Sequence, residues 1–450
     1  MLLDNKKDHR IIITMTLLVG VLTLGHYVNN SFLIMATLIV IMGITFVIPT
    51  ESYLPVMLFL LTWSGVMRVS ANSISWYTVI QTIYIIVFLM KAGKNKLMTL
   101  RKETIIAIFI LVLTSITAIL IHDYDISLGY INFMLMLAFV PLYTTHERGT
   151  SFKVSGIYYV LGTVTASFAG LLFLKTGHMT EFISVSEHIN IGVNRISGLS
   201  GDSNGYAAEL LAAIGICFVL LSRENAFINK VMYGTMIAIA IFFGFMTVSK
   251  SFLILVLLLS IVWVFYCIFC SNMKHKIALI VIISVAISVL LTLPQTQDFL
   301  SMYYTRFTDR STANDFSSGR FEIWKNYFYA IMDNCAVLLF GNGFIRSAVV
   351  PVSGVGMAAH NTAIQIIFQA GLVGTVALLI WLSSMRFKPA GNSFKQFEKV
   401  YMALMLFLPW LALDKLFFDD FFFFIMLYQT MLMEDKDDFV KVVRGERDEY

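Results

Sequence analysis

Long apolar blocks separated by short polar segments dominate this chain of 450 residues. The blocks are about 17–20 residues long, which is the length of α-helix that spans the hydrocarbon core of a bilayer. The residues are 58% hydrophobic and 13% charged, and that charge is about half of what an ordinary soluble domain carries. The pattern excludes a soluble globular protein and predicts an all-α polytopic membrane protein with about 12–14 transmembrane helices.

The apolar blocks divide the chain into regions that alternate between helices and loops. These regions are the N-terminal transmembrane helices (1–174), a first loop (175–204), central transmembrane helices (205–293), a large loop (294–360), C-terminal transmembrane helices (361–433) and a charged tail (434–450). Long loops inside a compact protein are usually functional, so polar chemistry is expected in the two loops.

The basic residues predict how the helices are oriented. When the spans alternate, about 22 of the 32 Lys and Arg residues fall on the side of the N-terminus. Basic segments stay in the cytoplasm, so both termini are predicted to be cytoplasmic and both long loops extracytoplasmic. The net charge of +4 comes from short clusters between apolar blocks, so no nucleic-acid partner is expected.

The first loop ends in a glycine-rich segment that runs from Arg195 to Gly205. Asp202, Ser203 or Asn204 is suited to cap the helix that follows. The N–H groups at such a helix start favour an anion, and Arg195 adds a positive charge upstream. An anion site and a simple capped loop fit these residues equally well.

Three arginines of the large loop, Arg306, Arg310 and Arg320, lie close together in the sequence. Guanidinium groups bind phosphate oxygens in pairs, so the cluster indicates a multiply charged anion.

Apolar side chains then recur at helical spacing directly after Arg320. They are Phe321, Trp324, Phe328 and Ile331. This spacing predicts a helix at the membrane interface with one apolar face. Its aromatic rings are suited to stack on sugar rings as well as to anchor the loop.

His360 ends the large loop and opens the next apolar helix. A helix N-terminus disfavours a charged imidazole, so the ring is expected to be neutral and able to act as a general base. A histidine that only caps the helix is the simpler alternative. Asn361, Gln365 and Gln369 follow every four positions, and polar groups inside a membrane usually face the protein interior or a cavity.

Two further features belong to the C-terminal helices. Gly371 and Gly374 are expected to let their helix pack closely on a neighbour. Asp414, Asp419 and Asp420 lie among phenylalanines at the last extracytoplasmic turn, where they mark a helix boundary or line a cavity.

Three motifs in the C-terminal half together resemble the O-antigen ligase and Wzy-type polymerase superfamily. The first is the segment from Arg195 to Asn204, similar to an Arg-x-Ser-Gly-Leu-x-Gly-Asp-x-Asn signature. The second is Gly319-Arg320-x-x-x-Trp324, followed by Leu-Phe-Gly-x-Gly343. The third is His360-Asn361, then nine residues, then Gly371-Leu-Val-Gly374.

The resemblance implies a GT-C-like membrane glycosyltransferase that takes an undecaprenyl-diphosphate-linked glycan as donor and needs no metal or other cofactor. It implies arginines that hold the diphosphate and a histidine that serves the acceptor, and Arg320 and His360 match such positions. Further diphosphate contacts are expected at Arg195, Lys250, Arg306 and Arg310. Lys250 follows Ser249 where the family often has Ser-Arg, so the charge remains without the two-pronged grip.

Other residues near these motifs are expected to contact the sugars or the acceptor. They are Asn361, Gln365, Trp324, Asp202, Asn204, Glu187 and Asp315. The base that takes the proton of the acceptor hydroxyl is His360, Glu187 or Asp315, and the sequence leaves that choice open.

The implied function is a repeat-unit polymerase of polysaccharide biosynthesis in the bacterial cytoplasmic (inner) membrane, building O-antigen or capsule. One alternative is an O-antigen ligase that moves finished glycan to lipid A-core or another acceptor. The other is a flippase for the same lipid. The expected partners are an undecaprenyl-diphosphate-linked oligosaccharide, membrane lipid, a chain-length regulator and a flippase.

Overall fold

The computed structural model describes residues 6–70, 75–92, 100–122, 128–147, 150–178, 186–188, 193–270, 297, 300–305, 319–343, 349–352, 355–385, 393–416 and 420–443. Within them the chain is almost entirely helical, which confirms the prediction of an all-α polytopic membrane protein. The span predicted over 277–293 lies outside the described residues.

Fifteen α-helices lie in the described part of the chain. They are α1 (Lys6–Tyr27), α2 (Ser31–Val47), α3 (Tyr53–Leu61), α4 (Trp76–Ala92), α5 (Lys102–His122), α6 (Leu128–His146), α7 (Phe152–Thr176), α8 (Ser203–Arg223), α9 (Phe227–Met246), α10 (Lys250–Cys270), α11 (Arg320–Met332), α12 (Cys335–Phe340), α13 (Thr362–Ser384), α14 (Ser393–Phe407) and α15 (Asp420–Val443). Short 3-10 turns occur at Thr50–Ser52 and Leu408–Leu411.

Five of the described helices are long and apolar enough to cross a bilayer, namely α1, α7, α8, α9 and α13. Shorter apolar helices cover Ser31–Val47, Thr50–Leu61, Trp76–Lys91, Ile131–His146 and Lys250–Phe265. Helices suit this setting because every backbone N–H and C=O is bonded within the segment. Large apolar side chains stay exposed on them, for example Leu17 at 66% and Phe32 at 82%, as lipid-facing surfaces require.

The described residues group into two compact units, and the boundary falls inside α7. The first unit contains Met1–Gly162, Gly319–Gly391 and Trp410–Tyr450. All nine residues of α3 are buried in its interior. Gly162 of α7 lies against α3 so closely that a Cβ there would be 2.5 Å from the carbonyl oxygen of Phe59.

Aromatic rings from α15 fill the rest of this interior. Phe421 to Phe424 are all buried. The ring of Phe423 lies 6.1 Å from that of Tyr77, and the ring of Phe424 lies 5.4 Å from that of Tyr159. The Phe422 ring lies 6.1 Å from that of Trp381. These consecutive phenylalanines therefore pack against several neighbouring helices.

The second unit contains Thr163–Ser318 and Asn392–Pro409, with α8 at its centre. Gly215 of α8 admits α14, because a Cβ at this position would lie 2.6 Å from the Cβ of Met405. Glu398 of α14 is 1% exposed and accepts hydrogen bonds from Arg223 Nε (2.8 Å) and Ser222 Oγ (2.5 Å). These contacts attach α14 to α8.

Two antiparallel β-hairpins occur where the sequence predicted only loops. β1 (Ser186–His188) pairs with β2 (Val193–Arg195), and β3 (Val350–Val352) pairs with β4 (Val355–Met357). Valine is over-represented in strands, and the second hairpin carries three valines in six residues. These hairpins end near residues that the motifs singled out, namely Arg195 and His360.

Candidate active site

Helix α11 is positioned by its glycine start and its buried face. Gly319 precedes it with φ 87°, a left-handed conformation that glycine adopts without strain. The buried residues Ile323, Tyr327 and Ile331 pack this helix against β3 and α13. Arg320 is therefore the first residue of a fixed helix and is partly exposed there, at an end that favours anions.

The four apolar residues predicted to form one face of this helix differ in their exposure. Ile331 is buried, but Phe321 is 65% exposed and Phe328 is 59% exposed. The helix is rotated so that Trp324 and Tyr327 reach backbone carbonyls, and this turns Phe321 and Phe328 outward. The exposed rings still suit a helix at a membrane interface.

Trp324 and Tyr327 hold the chain that leads to His360. The indole Nε1 of Trp324 donates to the carbonyl oxygen of Ala359 at 2.9 Å. The Tyr327 hydroxyl donates to Met357 O at 2.8 Å and accepts from Val350 N at 3.4 Å, so it bridges both strands of the hairpin. Burial raises the pKa of the Tyr327 phenol to about 12, which keeps this donor protonated.

His360 has a backbone conformation that few residues tolerate. Its φ is +48°, one of three positive values among described non-glycine residues. Left-handed backbone costs an ordinary L-residue about 1–2 kcal/mol. The peptide N–H of Ala359 donates to Gln365 Oε1 at 3.1 Å, and Asn361 Oδ1 accepts from the N–H groups of Ala363 and Ile364 at 3.0 and 3.2 Å. His360 is thus held on both sides, and Asn361 rather than His360 caps α13.

The polar stripe predicted on α13 faces the protein interior, as expected. Asn361 is 9% exposed, Gln365 is 1% exposed and Gln369 is fully buried. The Nδ2 of Asn361 also donates to Leu411 O at 3.0 Å. Asn361 and Gln365, which were expected to contact sugars or the acceptor, are thus bonded to the protein backbone.

Helix α13 is broken at Gly371, where φ is 62° and ψ is −174°. The turn Leu339–Gly343 fills the break, and Asn342 satisfies the carbonyl of Phe368 through its backbone N–H (3.0 Å) and its Nδ2 (3.3 Å). Gly371 was expected to let its helix pack closely on a neighbour, and its ideal Cβ position lies 2.5 Å from the carbonyl carbon of Leu339 in α12; the break it makes was not predicted. Gly374 does face another helix, because Leu111 of α5 lies 3.7 Å from its ideal Cβ position.

The segment before α15 is joined to the start of α13. Thr362 Oγ1 donates to Leu413 O at 2.7 Å and accepts from Lys415 N at 3.0 Å. Lys415 Nζ lies 2.7 Å from Asp420 Oδ2, and the two side chains are only 4% and 5% exposed. Asp420 is thus buried in an ion pair, whereas Asp414 is partly exposed and accepts from Leu416 N at 3.2 Å. Asp419 lies outside the described residues.

The second unit contains a separate network around Arg195. Arg195 is 5% exposed, and it donates from Nε to Thr247 O (2.9 Å) and from a terminal nitrogen to Asn204 Oδ1 (2.9 Å). The same Asn204 oxygen accepts from Ser249 Oγ at 3.0 Å. Asp202 caps α8 by accepting from the N–H groups of Asn204 and Gly205, as one of the cap predictions stated.

Comparison with known families identifies part of the chain. Residues 235–379 match the family model described as O-antigen ligase. The matched segment is about a third of the chain and is similar to that family. This finding confirms the resemblance to the O-antigen ligase and Wzy-type superfamily, whose members are glycosyltransferase-like enzymes that act on lipid-linked glycans in a membrane context. None of the curated proteins compared with the chain matches it.

The segment that matches the O-antigen ligase family includes Lys250, Arg320 and His360, together with most of the broken helix α13. Arg195 precedes this segment but is hydrogen-bonded to Thr247 within it. The network around Arg195 therefore fixes the turn before Lys250, the first residue of α10. This turn includes Val248, a fully buried β-branched residue with φ +47°.

Some predicted site residues of the matched segment lie outside the described part of the chain, namely Arg306, Arg310 and Asp315. Glu187, which precedes the segment, lies in β1 opposite Asn194.

Sequence reasoning missed Tyr327 and Lys415, two residues that shape the candidate site. Gly341 was part of the Leu-Phe-Gly-x-Gly343 motif, and its φ of 73° shows why a glycine is needed there. Tyr327 and Lys415 act through partners distant in sequence, so no local pattern reveals them.

Proposed function

We propose that this protein is a polysaccharide repeat-unit polymerase, an inverting and metal-independent glycosyltransferase of the bacterial cytoplasmic membrane. It takes a glycan from undecaprenyl diphosphate and transfers it to the next lipid-linked unit at the outer face of the membrane. It works beside a flippase that supplies the units and a chain-length regulator, with both of its own termini in the cytoplasm.

The observation that carries the proposal is the fixed, partly exposed His360 in the same compact unit as Arg320. Strained backbone at a non-glycine residue persists only where its surroundings impose it, and such residues cluster at active sites. A guanidinium at a helix N-terminus is suited to bind a diphosphate. Both residues lie in the segment that matches the O-antigen ligase family.

The chemistry requires no protein nucleophile, because the bond from sugar to diphosphate is already activated. The acceptor hydroxyl oxygen attacks the anomeric carbon, and the carbon–oxygen bond to the diphosphate breaks. Undecaprenyl diphosphate leaves with the bonding electron pair, and His360 takes the hydroxyl proton and later releases it to water. The cation of Arg320 gains strength as charge develops on the leaving group, so it favours the transition state over the ground state.

Arg195 and Lys250 have different roles in this proposal. Arg195 supports the 247–250 turn through its bonds to Thr247 and Asn204. Lys250, Arg306 and Arg310 remain proposed diphosphate contacts.

The second candidate is an O-antigen ligase, which the description of the matched family favours. A ligase uses the same donor and the same bond exchange, but its acceptor is lipid A-core or another molecule. A single experiment separates the two: purified protein is incubated with a synthetic undecaprenyl-diphosphate-linked repeat unit, with and without a lipid A-core acceptor, and the products are sized. A ladder from the repeat unit alone supports the polymerase, and transfer that requires the added acceptor supports the ligase.

Variants test the proposed residues within the same assay. Arg320→Ala should lower the rate about 10²–10³-fold, since that is the typical loss for one transition-state contact. Lys325→Ala on the same helix is the matched control, because Lys325 is exposed and its Nζ lies 5.8 Å from the Tyr329 ring. His360→Ala should lower the rate about 10²–10⁴-fold, the typical contribution of a general base, with His178→Ala as its control. A flippase is indicated instead if lipid-linked glycan crosses proteoliposomes while no glycosidic bond forms.

A further inference from the structure

The backbone of Ala359 is held by two side chains from different helices. Its carbonyl oxygen accepts from Trp324 Nε1 of α11 at 2.9 Å, and its N–H donates to Gln365 Oε1 of α13 at 3.1 Å. Both backbone polar groups of this residue are therefore bonded to side chains, and the peptide groups on its two sides are fixed. Ala359 directly precedes His360, whose φ is +48°.

These two hydrogen bonds explain how His360 stays in a left-handed conformation. A residue that is free to relax moves to negative φ, because the left-handed form is strained for L-residues. Such a change rotates the peptide before His360 and moves the imidazole. Relaxation here first has to break one or both of the bonds to Trp324 and Gln365.

Because Gln365 is buried, its side chain is not placed to contact the substrate. Gln365 is 1% exposed, so its amide is enclosed by the protein. Trp324 is partly buried, and its one N–H is already donated to Ala359 O. Both side chains therefore reach the candidate site through the backbone.

We propose that Trp324 and Gln365 are positioning residues that fix His360 for the transfer reaction through the backbone of Ala359. The inference rests on the proposed function of His360 as base. It gives Trp324 and Gln365 a role different from the sugar and acceptor contacts expected from the sequence.

The chain contains a matched control for a merely structural tryptophan. Trp381 is fully buried in the same compact unit, and its Nε1 donates to the backbone oxygen of Leu137 at 2.8 Å. Trp381→Phe removes a hydrogen bond of the same kind as Trp324→Phe, but away from His360 in the sequence. The two variants should lower the thermal midpoint by similar amounts, but only Trp324→Phe should lower kcat.

The test uses the purified full-length protein with the lipid-linked repeat unit. Trp324→Phe and Gln365→Met should each lower kcat by about 10²-fold, the scale of loss when a reacting group is misplaced by about 1 Å. The KM for the donor should stay unchanged, because the diphosphate contacts are retained. Trp381→Phe should lower the thermal midpoint as much as Trp324→Phe does and keep kcat within about twofold.

A double variant shows whether the effect passes through His360. If it does, Trp324→Phe combined with His360→Ala reacts no more slowly than His360→Ala alone. Additive losses, or a wild-type kcat for Trp324→Phe, overturn the positioning role. If His360→Ala itself keeps the wild-type rate, the proposed base is wrong. If His360→Ala loses activity while Trp324→Phe keeps the wild-type kcat, the proposed base stands and only the positioning role fails.

Discussion

Replacing Gly371 by alanine should disrupt the broken helix α13. The conformation at φ 62° and ψ −174° belongs to a region that only glycine occupies readily, and other residues pay about 1–3 kcal/mol there. The new Cβ would also lie 2.5 Å from Gly341 N and from the carbonyl carbon of Leu339. These are backbone atoms that cannot rotate away, and overpacking of this kind costs about 1–3 kcal/mol. The free energy of unfolding should therefore fall by about 2–6 kcal/mol.

Denaturant titration of the purified protein in detergent micelles measures this loss, and the transfer assay measures its effect on activity. Gly43→Ala is the control, because no atom lies within 4 Å of the ideal Cβ of Gly43 in α2. An alanine at this helical position should be neutral or should stabilise the protein by about 0.5–1 kcal/mol. Gly341→Ala should reproduce the loss, since its Cβ would meet the backbone of Gln369 from the other side. A change of less than about 0.5 kcal/mol in Gly371→Ala would refute the reasoning.

Three further predictions concern strain and buried charge. Val248→Gly should lower the free energy of unfolding in the same titration, because deleting a fully buried side chain costs about 2–5 kcal/mol and relief of its left-handed backbone returns only about 1–2 kcal/mol; an unchanged or more stable variant contradicts this. Lys415→Met should lower the free energy of unfolding by about 3–5 kcal/mol, because it leaves Asp420 buried without its cation. The double variant Lys415→Met with Asp420→Leu should recover most of that loss. Equal losses in the single and the double variant would argue against the ion pair. Glu398→Gln should lower the thermal midpoint by weakening the bond to Arg223, and an unchanged midpoint would show that this bond adds nothing.

Local sequence patterns predicted much of the fold. Apolar length and composition identified the membrane helices, because the bilayer imposes a length that can be read directly from the chain. The helix after Arg320, the cap at Asp202 and the buried stripe of Asn361, Gln365 and Gln369 were also predicted correctly. Each depends on residues within one or two turns of each other, so spacing is enough to reveal them.

Features that depend on distant partners could not be read in this way. Spacing predicted one apolar face for α11, but long-range bonds from Trp324 and Tyr327 to residues 357–359 decide which face is buried. The sequence marked Gly371 only as a glycine for close helix packing. The break there could not be predicted, because the turn that fills it is about 30 residues upstream. The positive φ at His360 is imposed by tertiary contacts, so the sequence around His360 gives no sign of it.

The close fit between the Leu339–Gly343 turn and the gap at Gly371 has a consequence for chimeric proteins. The turn supplies both donors to the Phe368 carbonyl, and the backbone at Gly371 leaves space for the turn, so the two pieces form one structural unit although they are separated in the chain. A graft that imports residues 319–360 from a relative should therefore also import 368–374. A turn of different shape would leave the Phe368 carbonyl without its donors or would clash with the backbone at Gly371.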